Sequence, residues 1–439
     1  MTKVVVIGAG LAGLSTALAL ENQQTKFSVT VLEKEKRAGG LCRTVETKGF
    51  FFDYAGHLLH FRGKEFKKFV LRKLRSQLVK SQRQSWIYSH GVYTRYPFQA
   101  NLFGLPSEVI ADCLYGYFQS IFKPPRKRIR NLDDWIKYHF GDGIAKYFMT
   151  PYNTKLFRCP PEELSPDCIE RFVPIPNYLQ VIKGALSGDI EKLGYNATFF
   201  YPEKGGIEGL IKAITRQLSC VKLNQEVCLI DLKKKDLLTT SGETFDFDLL
   251  VSTAPLPELI KLISDVPHKI HRAAEFLDHV SVLNINLGVE GDLGNKHWIY
   301  LPEEVFIPYR IGFPHNFSPK MVPPGCSSIS AEISYNDRQR PDVEKSIQRL
   351  IDDLMAMKIL RSRRSIVTQA VIDIPYAYVA FNHKRRRALQ VIQSFLSEKP
   401  IFSAGRYGRW DYYSMEDSYL DGLRVAGELS LITKKGKAF

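Results

Sequence analysis

Residues 4–14 run an apolar strand straight into Gly8-Ala9-Gly10-Leu11-Ala12-Gly13, and no other stretch restricts the fold of this chain as much. The apolar run reads as a parallel strand buried on both faces. Gly8 permits the sharp turn, Gly10 lets backbone approach a pyrophosphate, and Gly13 lets helix and strand pack closely. The diphosphate is then expected on the helix amino end, where free N–H groups point at it. A second strand, residues 28–32, leads to Glu33, about twenty residues beyond Gly13, where an acidic side chain is expected to accept ribose hydroxyls. Glycine clusters also make ordinary tight turns. Strand, turn, helix, strand and acid within one unit of about 30 residues select the dinucleotide-binding reading. The fingerprint begins so close to the first residue that no targeting segment is expected ahead of it.

The basic, glycine-rich stretch Arg37-Ala38-Gly39-Gly40-Leu41-Cys42-Arg43-Thr44 follows the ribose acid. It resembles the segment carried by FAD-dependent oxidases and isomerases of the glutathione-reductase-like class, which implies FAD rather than NAD. At 439 residues, two or three domains are expected, and 44% hydrophobic residues with 12% aromatic suffice for packed cores. No apolar run is long enough to span a bilayer, so a cytoplasmic protein without a transmembrane segment is expected. The cysteines number seven, an odd count, are scattered, and form no C-x-x-C pair, which argues against a disulfide framework and against a metal site. They are expected to be reduced and mostly buried. The net charge of +15 is concentrated at residues 64–83, 123–130 and 384–387. Such clusters are solvated faces or fields that attract polyphosphates, nucleic acid or anionic membranes. No nucleic-acid module accompanies them, so no nucleic-acid partner is expected and the field favours an anionic small ligand.

Periodicity divides the chain into a discontinuous arrangement. Residues 1–62, 203–265 and 395–439 are expected to form the Rossmann-like FAD-binding domain. Residues 104–192 carry apolar positions at helical spacing, broken by prolines, and predict a mostly helical insertion. Residues 84–103, 193–202 and 270–394 predict an antiparallel sheet forming a substrate domain, with a hairpin turning at His90-Gly91. The fold class is therefore α/β, glutathione-reductase-like, with two additions. A final helix is expected to begin near Glu416.

Eight short segments carry a sharper signal: Gly56-His57 after Phe52-Asp53, Tyr96-Pro97-Phe98-Gln99, Phe148-Met149-Thr150-Pro151-Tyr152-Asn153, Arg171, Asn196-Ala197-Thr198-Phe199, Trp298-Ile299-Tyr300, Arg310, and Gly405-Arg406-Tyr407-Gly408 followed by Tyr412. In this set and order the chain resembles the UDP-galactopyranose mutases, most of all their eukaryotic-type branch. The resemblance implies that Tyr96 and Phe148 stack on uracil and that Gln99 reads its polar edge, chemistry suited to ring faces and an amide. It implies that Arg171 and Arg310 clamp the diphosphate with planar forks. Asn153, Asn196, Tyr300, Tyr378 and Tyr412 become polar lining, with Phe157, Trp298 and Phe317 beside them. His57 and Arg406 are expected beside the flavin ring. Cofactor contacts are implied for Gly8, Gly10, Gly13, Glu33, Gly40, Leu41, Arg43, Gly56, His57, Val227, Gly405, Arg406, Met415 and Glu416. Acidic residues at 416 and 417 also suit a helix amino end by charge alone.

The departures fall in the substrate site. Phe157 stands where the family commonly has tryptophan, and Phe317 where the eukaryotic-type enzymes have a tyrosine of a mobile loop. Ser414 and Glu416 also differ from the family patterns. The reaction implied is the interconversion of pyranose and furanose forms of a UDP-sugar through a covalent adduct at N5 of reduced FAD, without net redox and with NAD(P)H as priming reductant. An oligomer is compatible with this reading. Two alternatives remain: a flavin oxidase or dehydrogenase of the amine-oxidase or protoporphyrinogen-oxidase type, and a non-catalytic flavoprotein that binds polyanions.

Overall fold

The computed structural model describes residues 1–23, 26–74, 77–122, 128–188 and 198–435. The first strand, Thr2–Ile7, lies at the centre of a five-stranded parallel sheet ordered Ile401–Ser403, Leu249–Ser252, Thr2–Ile7, Phe27–Leu32, Val221–Lys222. Val4, Val5, Val6 and Leu249, Leu250, Val251 are all buried, as continuous apolar runs must be when helices cover both faces of a parallel sheet. Residues 221–232 divide between two sheets. Val221–Lys222 extends the parallel sheet, while Val227–Asp231 starts a separate three-stranded antiparallel sheet.

The second layer is a seven-stranded sheet ordered Ile366–Val379, His279–Glu290, Cys326–Tyr335, Arg310–Gly312, Trp298–Tyr300, Ser85–Ser89, Val92–Arg95. It is antiparallel except at one joint, where Trp298–Tyr300 runs parallel to Ser85–Ser89. The expected hairpin forms at His90-Gly91, where φ of 53° and 75° supplies the left-handed pair that a two-residue turn needs. Alternate residues Leu283, Ile285, Leu287 and Val289 pack into a core with Ile347, Leu350, Ile351 and Leu354 of the helix Val343–Ala356. The opposite face is polar yet buried: Asn284, Asn286, Ser330 and Glu332 are all 5% exposed or less. A polar sheet face is ordinarily the solvated one. Here it forms the floor of an interior.

Helices Ser107–Phe122, Leu132–Ile144, Thr150–Phe157 and Tyr178–Leu186 make up the helical part. The basic segment 64–83 is helical over Lys64–Leu74 and includes the strand Leu78–Gln82, paired with Thr198–Pro202. The last helix, Met415–Lys435, crosses the first helix, Leu11–Glu21, at a glycine contact. A Cβ on Gly422 would meet the carbonyl oxygen of Ala12 at 2.5 Å. Among the described residues, no helix is long and apolar enough to cross a membrane.

Candidate active site

The nucleotide end of the site is built from absent side chains. Gly8 has φ 97°, and a Cβ on Gly13 would lie 2.1 Å from the Gly8 oxygen. The Gly10 and Gly40 backbones nearly touch, since a Cβ on Gly40 would sit 3.3 Å from the Gly10 Cα. The helix Leu11–Glu21 starts at Gly10 with no side-chain cap, leaving its amino end open to an anion. Glu33 is 7% exposed and accepts the Ala9 N–H at 2.7 Å and the Glu35 N–H at 3.0 Å. It therefore braces the glycine turn, with lone pairs to spare for further donors. Arg43 donates to the Gly40 oxygen at 2.8 Å and lies over the Tyr54 ring. Leu41 packs against the core cluster that includes Phe50, Phe52, Val282 and Tyr309, and Val227 is buried at the head of the small sheet.

Cross-strand register then assembles the polar floor. Tyr300 pairs with Arg310, Arg310 with Glu332, and Glu332 with Asn284, so four strands deliver one row. Arg310 forms a bidentate pair with Glu332, Nε to Oε1 at 3.0 Å and Nη2 to Oε2 at 2.7 Å, and its guanidinium lies 4.6 Å from the Trp298 ring centre. Glu332 is fully buried and also accepts from the Tyr309 hydroxyl, which is 3.1 Å from the Tyr378 hydroxyl. Burial opposes the Arg310 charge, but Glu332 together with the hydroxyls of Tyr378, Tyr309 and Tyr300 outweighs it and holds the guanidinium above its ordinary pKa. Trp298 is held flat by two glycines: a Cβ on Gly56 would come 1.8 Å from its ring and one on Gly312 2.5 Å.

The carboxyl-terminal turn closes the other side. Gly405, with φ 76°, donates its N–H to Asp421 at 2.8 Å and abuts Ala12, so Arg406 springs from a point fixed against the first helix. Arg406 donates to the oxygens of Tyr413 at 3.0 Å and Ala377 at 2.8 Å and lies over the Tyr412 ring at 4.5 Å. Its buried Nε–H has no acceptor among the described residues. Tyr378 lies parallel to Tyr412 at 5.9 Å, and Arg171 donates to the Tyr412 oxygen. A chain of contacts through Tyr412, Tyr378, Tyr309 and Glu332 thus joins Arg171 to Arg310. The His57 Nδ1 is 3.3 Å from the Ala55 oxygen. Burial, with Arg406 and Arg310 nearby, pushes the pKa of this imidazole down to about 4, so it is neutral near pH 7.

The remaining expected residues divide. Tyr96 stacks on Tyr300 at 4.9 Å, whereas Phe148 lies parallel to Phe98 at 5.0 Å and Tyr152 at 5.4 Å. Gln99 is buried, gives Nε2 to the Pro174 oxygen at 2.7 Å, and its Oε1 has no donor among the described residues. Asn153 turns back to its own helix, donating to the Met149 oxygen at 2.7 Å, and Phe157 is a core residue. Phe317 is not on an open loop: it is 1% exposed, packed among Phe199, Tyr201, His297 and Trp298, as suits a ring without a hydroxyl. Glu416 spends both oxygens on the N–H groups of Arg62 and Gly63, at 2.8 and 2.7 Å, tying that loop to the helix headed by Met415. Asn196 lies outside the described residues.

Three residues join the site without having been singled out from sequence. Glu332 and Tyr309 complete the Arg310 cluster, and Arg83 donates to the Tyr300 hydroxyl while facing the Tyr96 ring. For Glu332 the signal was the polar alternation along residues 328–334, which has meaning only once the face it lines is known. Asp53, directly before the His57 segment, is buried and accepts from Thr44 at 2.7 Å, Ile207 N–H at 3.2 Å and Tyr201. Burial raises its pKa to about 6, against the pull of those bonds.

Residues 11–430 match the profile of the flavin-containing amine oxidoreductases. The chain is similar to farnesylcysteine lyase of Arabidopsis thaliana, 23% identical over 292 residues, a match that spans 58% of this chain and 58% of the lyase. It is similar to L-amino-acid oxidase of Crotalus adamanteus, 26% identical over 376 residues, 74% of this chain and 69% of that enzyme. Among solved structures it is similar to reduced UDP-galactopyranose mutase, with TM-score 0.93 and 26% identity over 98% of this chain and 96% of that one. A protein assigned as protoporphyrinogen oxidase from Exiguobacterium sp. 255-15 shares the fold at TM-score 0.75, with 16% identity over 98% and 99% of the two chains.

Proposed function

The chain belongs to the flavin-containing amine oxidoreductase family, and within it we propose that this protein is a mutase interconverting the pyranose and furanose forms of a UDP-sugar. The observation that carries the reading is a floor with a paired but unsaturated arginine facing an aromatic wall. Arg310 has committed two of its five N–H donors to Glu332, which leaves three for a diphosphate. The flavin-dependent character of the family, the open glycine cradle and the orphaned Arg406 Nε–H all fit FAD.

When bound, reduced FAD would supply an electron-rich nitrogen for substitution at the anomeric carbon without net electron transfer, and NAD(P)H is the proposed priming reductant. The chain's own work is binding and orientation. Arg310 holds one side of the diphosphate, its angle set by Glu332 below and Trp298 beside it. Arg171, anchored to the Tyr412 carbonyl, approaches from the other side. Charge on the departing UDP is met by two guanidinium groups, each charge-assisted bond contributing about 1.5 to 3 kcal/mol. Gln99 Oε1, a buried acceptor lacking a donor, suits an imide N–H of uracil, and Tyr96 and Tyr300 offer the neighbouring ring faces. The Nδ1 of His57 faces a carbonyl, so its proton resides there and Nε2 is an acceptor toward cofactor or sugar.

The family itself, with its L-amino-acid oxidase relative, favours a second reading, a flavin oxidase. Reduced holoprotein incubated with UDP-galactose, UDP-glucose or their N-acetyl forms separates the two. The mutase reading expects a furanose product by chromatography and its loss in Arg310→Ala. Oxygen uptake on an amine or porphyrinogen, with no isomer from any nucleotide sugar, supports the oxidase.

A further inference from the structure

The helix Thr150–Phe157 carries Tyr152 against Tyr300 and Tyr309, and one turn later it carries a buried lysine that no part of the proposed chemistry uses. Lys155 is 8% exposed, and its ammonium donates to the Leu301 oxygen at 3.1 Å and the Glu303 oxygen at 2.9 Å. Those carbonyls belong to residues 301–309, the segment that leaves Tyr300 and returns as Tyr309 and Arg310. The same segment is held at its far end by Asp353, which accepts the Ile307 N–H at 2.8 Å, and between them by Arg349, which donates to the Val305 oxygen at 2.7 Å. A buried cation spent on backbone carbonyls is costly unless the position it enforces matters.

We propose that Lys155 is a positioning residue: its clamp on Leu301 and Glu303 sets the separation and tilt of Tyr300 and Arg310, and so the affinity of the site for the diphosphate of a uridine nucleotide. The inference rests on the UDP-sugar reading, but the clamp itself does not. Lys155 is faced by Asp353, Glu303, Glu304 and Arg158. Burial lowers its pKa to about 7 against the three carboxylates, which raise it, and with Arg158, which lowers it further. A neutral amine is a weaker donor to a carbonyl than an ammonium. The clamp is therefore strongest below neutrality and loosens as pH rises through about 7.

The test uses FAD-loaded full-length protein as wild type, Lys155→Met and Lys155→Arg. Dissociation constants for UDP are read by flavin fluorescence from pH 6 to 9, and amide hydrogen exchange is followed in residues 301–309. Lys155→Met is expected to weaken UDP about tenfold at pH 6.5 and to speed exchange in that segment. Wild type is expected to lose affinity across neutrality, and Lys155→Arg, charged throughout, to keep a flat profile. Unchanged exchange in Lys155→Met overturns the clamp. An unchanged UDP constant, or a decline retained in Lys155→Arg, overturns its role in binding. Should Lys155→Met fail to fold, the arginine variant's profile decides alone. If wild type binds no UDP while exchange still rises in Lys155→Met, the functional reading fails; the clamp then stands as a structural device and the positioning claim falls with the ligand.

Discussion

At the scale of single residues, Arg310 and Glu332 are locked in a bidentate pair, and that determines what their variants do. Removing Arg310 leaves a fully buried carboxylate without its cation, which costs about 3–5 kcal/mol. Arg310→Ala is therefore expected to lower the melting temperature as well as UDP binding, whereas Arg310→Met combined with Glu332→Gln recovers most of the stability and none of the binding. Asp53 makes an independent prediction from its pH dependence. Its pKa in the fold, about 6, lies above the unfolded value of 3.8, so its contribution to stability is fully present below about pH 4 and is lost as pH rises through 6. Asp53→Asn should gain stability relative to wild type between pH 4 and 7, measured by thermal melting. A gap that narrows as pH rises would contradict the burial argument. The arginine at 310 was legible through family resemblance, but its partner was not. Glu332 lies 22 positions away and is brought opposite only by strand register.

At the scale of elements, the glycine-rich first turn, the hairpin at His90-Gly91 and the helix starting at Met415 were legible, because each is fixed by local chemistry: positive φ, a two-residue turn, an acidic first turn. The strand Leu78–Gln82 was not. Its partner, Thr198–Pro202, lies more than a hundred residues along, and a short polar strand has no pattern of its own until it is paired. Alternation along His279–Glu290 and Cys326–Tyr335 announced two faces correctly. It gave no sign that the polar one looks inward, since the same pattern ordinarily marks a solvated surface. Packing between elements gives the next prediction. Gly422→Ala drives a methyl into the Ala12 carbonyl, so the last helix must shift against the first at a cost of about 1–3 kcal/mol. Because Gly405 and Arg406 are pinned between those two helices, the flavin-to-protein ratio read from the visible spectrum should fall with it. Full flavin occupancy in that variant would show that the helix crossing does not shape the cradle.

At the scale of the whole molecule, two layers meet: a parallel sheet that presents glycines to a dinucleotide, and a larger sheet whose polar face carries Tyr300, Arg310 and Glu332. Arg406, fixed against the first layer, and Arg310, fixed in the second, both perturb His57 between them. A net charge of +15 surrounds this arrangement and favours capture of an anion at low ionic strength. UDP affinity should accordingly weaken as salt is raised, and salt-independent affinity would confine the effect to the largely buried Arg310 guanidinium. On the proposed function, a nucleotide diphosphate binds between Arg171 and Arg310 beside the flavin. The most direct measurement of that binding is titration of the reduced holoprotein with UDP, followed through the flavin spectrum, in wild type and in Arg171→Ala. A saturable spectral change is expected in wild type, with at least a tenfold weaker constant in the variant. A spectrum indifferent to UDP, or equal affinity in both proteins, would contradict it.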